Sequence, residues 1–241
     1  MGSGNNPAME SELPVLERLE AAVSIPAGAV SVEGSLAVPE ESAAAVLFAH
    51  GTGSGRHSPR NRLVAEVLAE AGFATLLLDL LSEAEEREDA VSGELRFDIS
   101  LLAERLLAAV DWLRRDPRTE GLAAGLFGAS TGSAAALQAA AAWPDRVQAI
   151  VSRGGRPDLA PDALPRVRAP TLLIVGGEDH QVIELNERAL RALRSEKHLE
   201  IVLGATHLFE EPGALERVAD LARDWFLEHL QAAPSRRVPA D

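Results

Sequence analysis

At 241 residues, with 46% hydrophobic and 25% charged, the chain has material for a sizeable core and not the composition of a disordered protein. Thirty-seven acidic against 23 basic residues give a formal net charge of -14, which argues against nucleic acid or an anionic membrane as a partner, because both reward basic surfaces. The chain has no cysteine, which removes disulfides, thiolate nucleophiles and Cys-bound metal, and no apolar run approaches the roughly 18 residues of a membrane span.

Residues 1–11 are polar and lack the apolar centre of a secretory signal, so a cytoplasmic location is expected; Met1 to Ala8 reads as a leftover of expression. One α/β domain is expected over residues 12–231, with 232–241 as a frayed tail. Residues 20–38 alternate around Pro26-Ala27-Gly28, the pattern of an antiparallel hairpin at a sheet edge. Apolar runs at 45–49, 74–79, 122–127, 147–152, 170–175 and 199–203 then alternate with helical stretches at 59–71, 99–115, 133–143, 183–194 and 212–231. Leu102, Leu106, Val110 and Leu113 share one helix face behind Asp98 as N-cap; Leu215, Val218, Leu221, Ala222 and Trp225 share another. This rhythm predicts a mostly parallel sheet of about eight strands with helices on both faces. Two segments read as irregular: 80–96, acidic through Glu83, Glu85, Glu86, Glu88 and Asp89, and 154–169, rich in Pro, Arg and Asp. Each follows the carboxyl end of a strand, where parallel sheets bind ligands, but for the acidic segment a solvated connection is the expectation.

The strand at 122–127 runs into Gly128-Ala129-Ser130-Thr131-Gly132, a G-x-S-x-G pentapeptide, and then into an alanine-rich helix. Strand, tight turn and helix are the setting in which such a serine stands exposed above a sheet, its flanking glycines allowing close approach. A serine hydroxyl needs a base in reach and a third group to orient that base, and serine-elbow hydrolases place nucleophile, acid and base in that chain order. Asp179, in Gly176-Gly177-Glu178-Asp179, and His207, in Gly204-Ala205-Thr206-His207, leave later strands in that order. Glu178, Asp158 and Asp79 compete as the acid, Asp79 more plausibly pinning a turn. Among the other histidines, His198 and His229 are expected in solvent, His180 beside the site, His50 in structural support and His57 in a flexible loop.

Attack on an acyl carbon creates an oxyanion that needs preorganised donors. The loop His50-Gly51-Thr52-Gly53-Ser54-Gly55 supplies backbone amides, so the expected hole pairs the amide of Thr52, or alternatively Gly53, with that of Thr131. A phosphate-binding loop competes for this segment, although no Walker lysine follows and G-x-G-x-x-G is absent. Arg153 and Arg156, with His57 and Arg60, could form a positive patch for a substrate carboxylate or phosphate; the plainer expectation pairs Arg153 with Asp158. The chemistry calls for no metal and no cofactor.

Together the H-G-T-G-S-G loop, the G-A-S-T-G elbow, the G-G-E-D loop and the terminal G-A-T-H resemble the α/β-hydrolase fold and, more narrowly, its dienelactone hydrolase-like branch, over residues 20–230. The stretches Asp79-Leu-Leu-Ser-Glu-Ala-Glu-Glu and Val151-Ser-Arg-Gly-Gly-Arg-Pro-Asp are similar to those of bacterial hydrolases that occur alone or fused to a phosphoribosyltransferase domain. Ser130 stands where dienelactone hydrolases proper use cysteine, and the chain lacks an insertion long enough for a large lid, so an open site is expected. The resulting expectation is a serine hydrolase acting on an ester, lactone or related small acyl substrate through an acyl-serine intermediate. An acyltransferase or perhydrolase would use the same triad, and a non-catalytic binding protein could use the same fold.

Overall fold

The computed structural model describes residues 19–230, so the expectations for residues 1–11 and 232–241 lie outside the described residues. The chain opens with a hairpin of β1 (Glu20–Ala27) and β2 (Val30–Ala37), closed by a two-residue turn with Gly28 at φ 77°. The strands' own twist favours such mirror-type turns, and they require a positive φ that glycine adopts freely.

Six more strands complete one sheet: β3 (Ala44–Ala49), β4 (Ala74–Leu78), β5 (Ala123–Ala129), β6 (Ala149–Arg153), β7 (Thr171–Gly176) and β8 (Lys197–Val202). Their order is β1-β2-β4-β3-β5-β6-β7-β8, with β1–β2 and β2–β4 antiparallel and every other pair parallel. The helices are α1 (Pro59–Glu70), α2 (Glu83–Ser92), α3 (Ile99–Leu113), α4 (Thr131–Ala142), α5 (His180–Ala192) and α6 (Ala214–His229). None of the described helices is long and apolar enough to cross a membrane.

Alternation along β3 builds two cores from one strand. Ala45, Leu47 and Ala49 join Leu102, Leu106 and Val110 of α3 and Leu137 of α4, whereas Val46 and Phe48 join Leu68 of α1 and Val218 and Phe226 of α6. A strand covered on both faces reads as a continuous apolar run, which is why Ala-Ala-Val-Leu-Phe-Ala carries no polar residue. Phe48 and Phe127 meet on the α1–α6 side with ring centroids 5.0 Å apart.

From β3 the chain goes to β4 on one side and later returns to β5 on the other, which makes the β3–β5 boundary the switch point of the sheet. Crevices open outside the carboxyl ends of strands at such points. Here those ends carry the His50 loop and Ser130.

The acidic segment is a correction to the sequence reading. Residues 80–96 are not an irregular solvated connection: they hold α2 and a short 3-10 turn, Leu95–Phe97. The helix starts on a capping box, in which the Ser82 hydroxyl accepts the Glu85 N–H at 3.3 Å and the Glu85 carboxylate accepts the Ser82 N–H at 2.8 Å. Acids crowd its first turn, where the helix dipole favours them, and Gly93 ends it in the left-handed conformation. Glu85 also pairs with Arg105 of α3 at 2.7 Å, fastening α2 to the body. The helix has no apolar stripe, so periodicity alone does not reveal it. α5 likewise begins at His180 rather than at residue 183.

Candidate active site

Ser130 caps α4 at φ 50°, ψ -120°, a backbone conformation costly for any residue with a side chain. The elbow is forced by close approach. A Cβ on Gly132 would lie 2.3 Å from the carbonyl oxygen of Ala49, and one on Gly128 would lie 2.5 Å from the Cα of Ser133. The exit of β6 holds the turn from the other side: the Ser130 N–H donates to the Arg153 carbonyl and the Arg156 N–H to the Ser130 carbonyl, both at 3.1 Å.

Asp179 and His207, 28 residues apart, meet through a hydrogen bond of 2.6 Å between His207 Nδ1 and Asp179 Oδ2. Backbone fixes the pair, since the Glu178 N–H donates to the Ala205 carbonyl at 2.9 Å and so ties the two loops together. Phe209, fully buried at φ 56°, anchors the histidine loop in the α1–α6 core. Beneath the imidazole lies Gly154, where an added Cβ would stand 3.4 Å from His207 Cε1. The competing acids are occupied or turned outward. Asp158 pairs with Arg156 at 2.7 Å, Glu178 is exposed, and Asp79 accepts the Arg56 N–H at 2.7 Å and pairs with its guanidinium. Asp79 thereby holds the glycine loop closed.

The loop after β3 lies against the elbow: a Cβ on Gly51 would come within 3.0 Å of Ser130 Cβ. The Thr52 N–H donates to the Thr131 hydroxyl at 3.1 Å, and the two threonine hydroxyls lie 3.2 Å apart. The Thr52 amide is thus engaged by Thr131, a partner that sequence reasoning missed, while Gly53 is exposed at φ 71°. Thr131 is the first residue of α4, so its own amide has no partner within the helix. His50 supports this loop as expected. Its Nε2 accepts the Leu80 N–H at 3.2 Å, leaving Nδ1 to donate to the Gly51 carbonyl at 2.9 Å. Desolvation pushes its pKa below the ordinary 6.5, opposed by the Gly51 carbonyl and the charges of Asp79 and Glu86, so the imidazole is held neutral.

A cavity of about 280 Å³ opens beside Thr52 and Thr131, walled by Leu80, Leu81, Ala90 and Leu102, with Glu86, Asp89 and Arg96 on the α2 side. The segment expected to be solvated therefore forms one wall, and Arg96 locks it by pairing with Asp89 at 2.5 Å.

The arginines fall differently from the sequence expectation. Arg156, not Arg153, takes Asp158, because their side chains sit two residues apart at the same loop. Arg153 is only 8% exposed and donates to Asn61 at 3.3 Å, Arg60 reaches Glu210 at 3.2 Å, and His57 is exposed with Glu20 in its electrostatic field. His198 faces solvent and pairs with Glu200 at 2.8 Å, and His180 is exposed at the start of α5. His229 does not face solvent: its ring packs on Trp225 with centroids 4.1 Å apart, because α6 turns that side inward. Among the described residues no group of His, Asp or Glu side chains converges into a metal site.

Comparison with known proteins agrees with this architecture. The crystal structure of a dienelactone hydrolase from Anabaena variabilis is 59% identical, superposes with a TM-score of 0.86, and is matched over 88% of this chain and 98% of that one. A Mycobacterium tuberculosis protein provisionally named a phosphoribosyl transferase is 59% identical over 208 residues. The match takes in 86% of this chain and 46% of that protein, so the chain spans about half the length of this curated relative. Est1E from Butyrivibrio proteoclasticus, at 18% identity and a TM-score of 0.72, shares the fold. The model of the dienelactone hydrolase family matches residues 32–231, and with that extent of agreement the chain belongs to the dienelactone hydrolase family.

Proposed function

We propose that the protein is a serine hydrolase that cleaves an ester or related acyl substrate with Ser130 as nucleophile, His207 as base and Asp179 as orienting acid. The observation that carries this reading is the 2.6 Å bond from His207 Nδ1 to Asp179, on loops beyond the strands that follow the Ser130 elbow. Nδ1 bears the proton donated to Asp179, which leaves Nε2 free to accept the proton of the Ser130 hydroxyl. Ser130 Oγ attacks the carbonyl carbon, and the oxyanion is met by the Thr131 amide and by the amide of Thr52 or Gly53. If Thr52 serves, its N–H exchanges the Thr131 hydroxyl for the oxyanion. His207 returns its proton to the leaving alcohol, then activates the water that frees the acid and regenerates the serine. The sequence uses no metal.

The strained backbone of Ser130 and membership of a hydrolase family support the same reading. The test is hydrolysis of p-nitrophenyl esters together with fluorophosphonate labelling. Ser130→Ala is expected to lose the label and about a thousandfold or more of turnover, whereas Asp179→Asn keeps the label and turns over slowly. Undiminished activity in folded Ser130→Ala would overturn the assignment.

A further inference from the structure

The buried residues of α5 are Val182, Asn186 and Ala189, and of these only Asn186 is polar. Its side chain is shut off from solvent completely. Burying an amide is costly unless hydrogen bonds replace the water it loses. Asn186 recovers that loss only in part: Nδ2 donates to the Val182 carbonyl at 2.8 Å and to the Gly155 carbonyl at 3.0 Å, whereas Oδ1 is buried with no partner. An apolar side chain of similar shape would carry no unpaired acceptor, so packing alone does not account for an asparagine here.

What the amide grips is the loop on which the candidate site converges. β6 runs out through Arg153, Gly154, Gly155 and Arg156. The Arg153 carbonyl accepts the Ser130 N–H, the Arg156 N–H donates to the Ser130 carbonyl, and Gly154 lies under the His207 ring beside Cε1. Gly155 has no room for a side chain, because a Cβ there would run into the hydroxyls of Ser152 and Ser133. Its backbone is thus packed on β6 and α4, and its carbonyl is held by α5 through Asn186, 31 residues further along the chain. The N-cap of α5 is Asp179. One side-chain bond therefore joins the helix that begins at the acid to the loop that holds the nucleophile and floors the base.

We propose that Asn186 is a positioning residue for the triad: through Gly155 it fixes where the Asp179–His207 pair stands relative to Ser130. This rests on the hydrolase reading and goes beyond it by assigning a residue that touches no reacting atom. Without the bond, α5 and the loop are free to shift against each other, and a displacement of about 1 Å between base and nucleophile is enough to slow proton transfer about a hundredfold. Substrate affinity does not depend on the bond, so the loss falls on kcat.

The test uses p-nitrophenyl butyrate with the wild type, Asn186→Leu and Asn186→Asp. Asn186→Leu should lose about tenfold or more in kcat, with KM within about twofold of the wild type. Asn186→Asp keeps the shape and can donate to the Gly155 carbonyl only when its carboxyl is protonated, so its kcat relative to the wild type should rise as pH falls; taking the ratio removes the titration of His207 common to both. The ring C–H signals of His207, followed by NMR, read the displacement without catalysis and should move in Asn186→Leu. Wild-type kcat in Asn186→Leu, a ratio for Asn186→Asp that does not vary with pH, or His207 signals that stay in place overturns the proposal. If Asn186→Leu does not fold, the pH ratio of Asn186→Asp decides. If the wild type hydrolyses no ester and takes no fluorophosphonate, the hydrolase reading falls, and the His207 signals still decide whether Asn186 positions the pair.

Discussion

At the scale of single residues, the candidate site depends on groups outside the proposed triad. His50 bridges the Leu80 N–H and the Gly51 carbonyl only as a neutral ring, since the first bond needs a lone pair on Nε2. Its folded pKa is depressed, so the sign follows directly. Stability is fully present above the unfolded value near 6.5 and is lost as pH falls through the folded value, because the unfolded chain takes up a proton that the folded chain refuses. Melting temperatures at pH 7.5 and 5.5 should therefore fall further in the wild type than in His50→Gln, whose amide offers a donor and an acceptor without titrating. An equal fall in both would remove the clamp from the account. Asp179 and His207, which the structure joins, were readable as a pair because each lies in the loop directly after a strand. The bond from Arg153 to Asn61, 92 residues apart, and the meeting of the Thr52 and Thr131 hydroxyls were not, since no periodicity encodes side-chain contacts between distant elements.

At the scale of elements, α2 decides what the site can hold. It is short, acidic and nearly without buried residues, so it is held by its ends: the Ser82–Glu85 box at the start and the Asp89–Arg96 pair near the finish. Ser82→Ala should cost about 0.5–2 kcal/mol of helix stability. Because the loss is local, hydrogen exchange across residues 83–92 is expected to quicken, and KM to rise, with little change in the exchange of the sheet. Uniform quickening throughout the protein would mean that α2 is no independent unit. The strands and the long helices were legible because each buries a repeating apolar face; α2 buries only Asp89, and its one signal was the Ser-x-x-Glu spacing at its start.

At the scale of the molecule, one sheet serves two cores, and β5 touches both through Leu126 on one side and Phe127 on the other. Phe127→Ala removes a fully buried ring that meets Phe48 across the strands, and should cost about 3–5 kcal/mol by urea unfolding, with the m-value unchanged if the two cores melt as one. A second transition would show that the faces unfold separately. The mostly parallel sheet was foreseeable from the alternation of strands and helices; its order was not. The assignment of each helix to a face was not, because β3 and β5 are apolar on both sides and give no preference.

The main chain of Gly154 forms the floor under His207, whereas the wall of the cavity is a helix attached by side-chain ion pairs. A wall of side chains changes with each substitution, and a floor of backbone does not. Descent with modification can therefore reshape the cavity while leaving the His207–Asp179 pair where it stands.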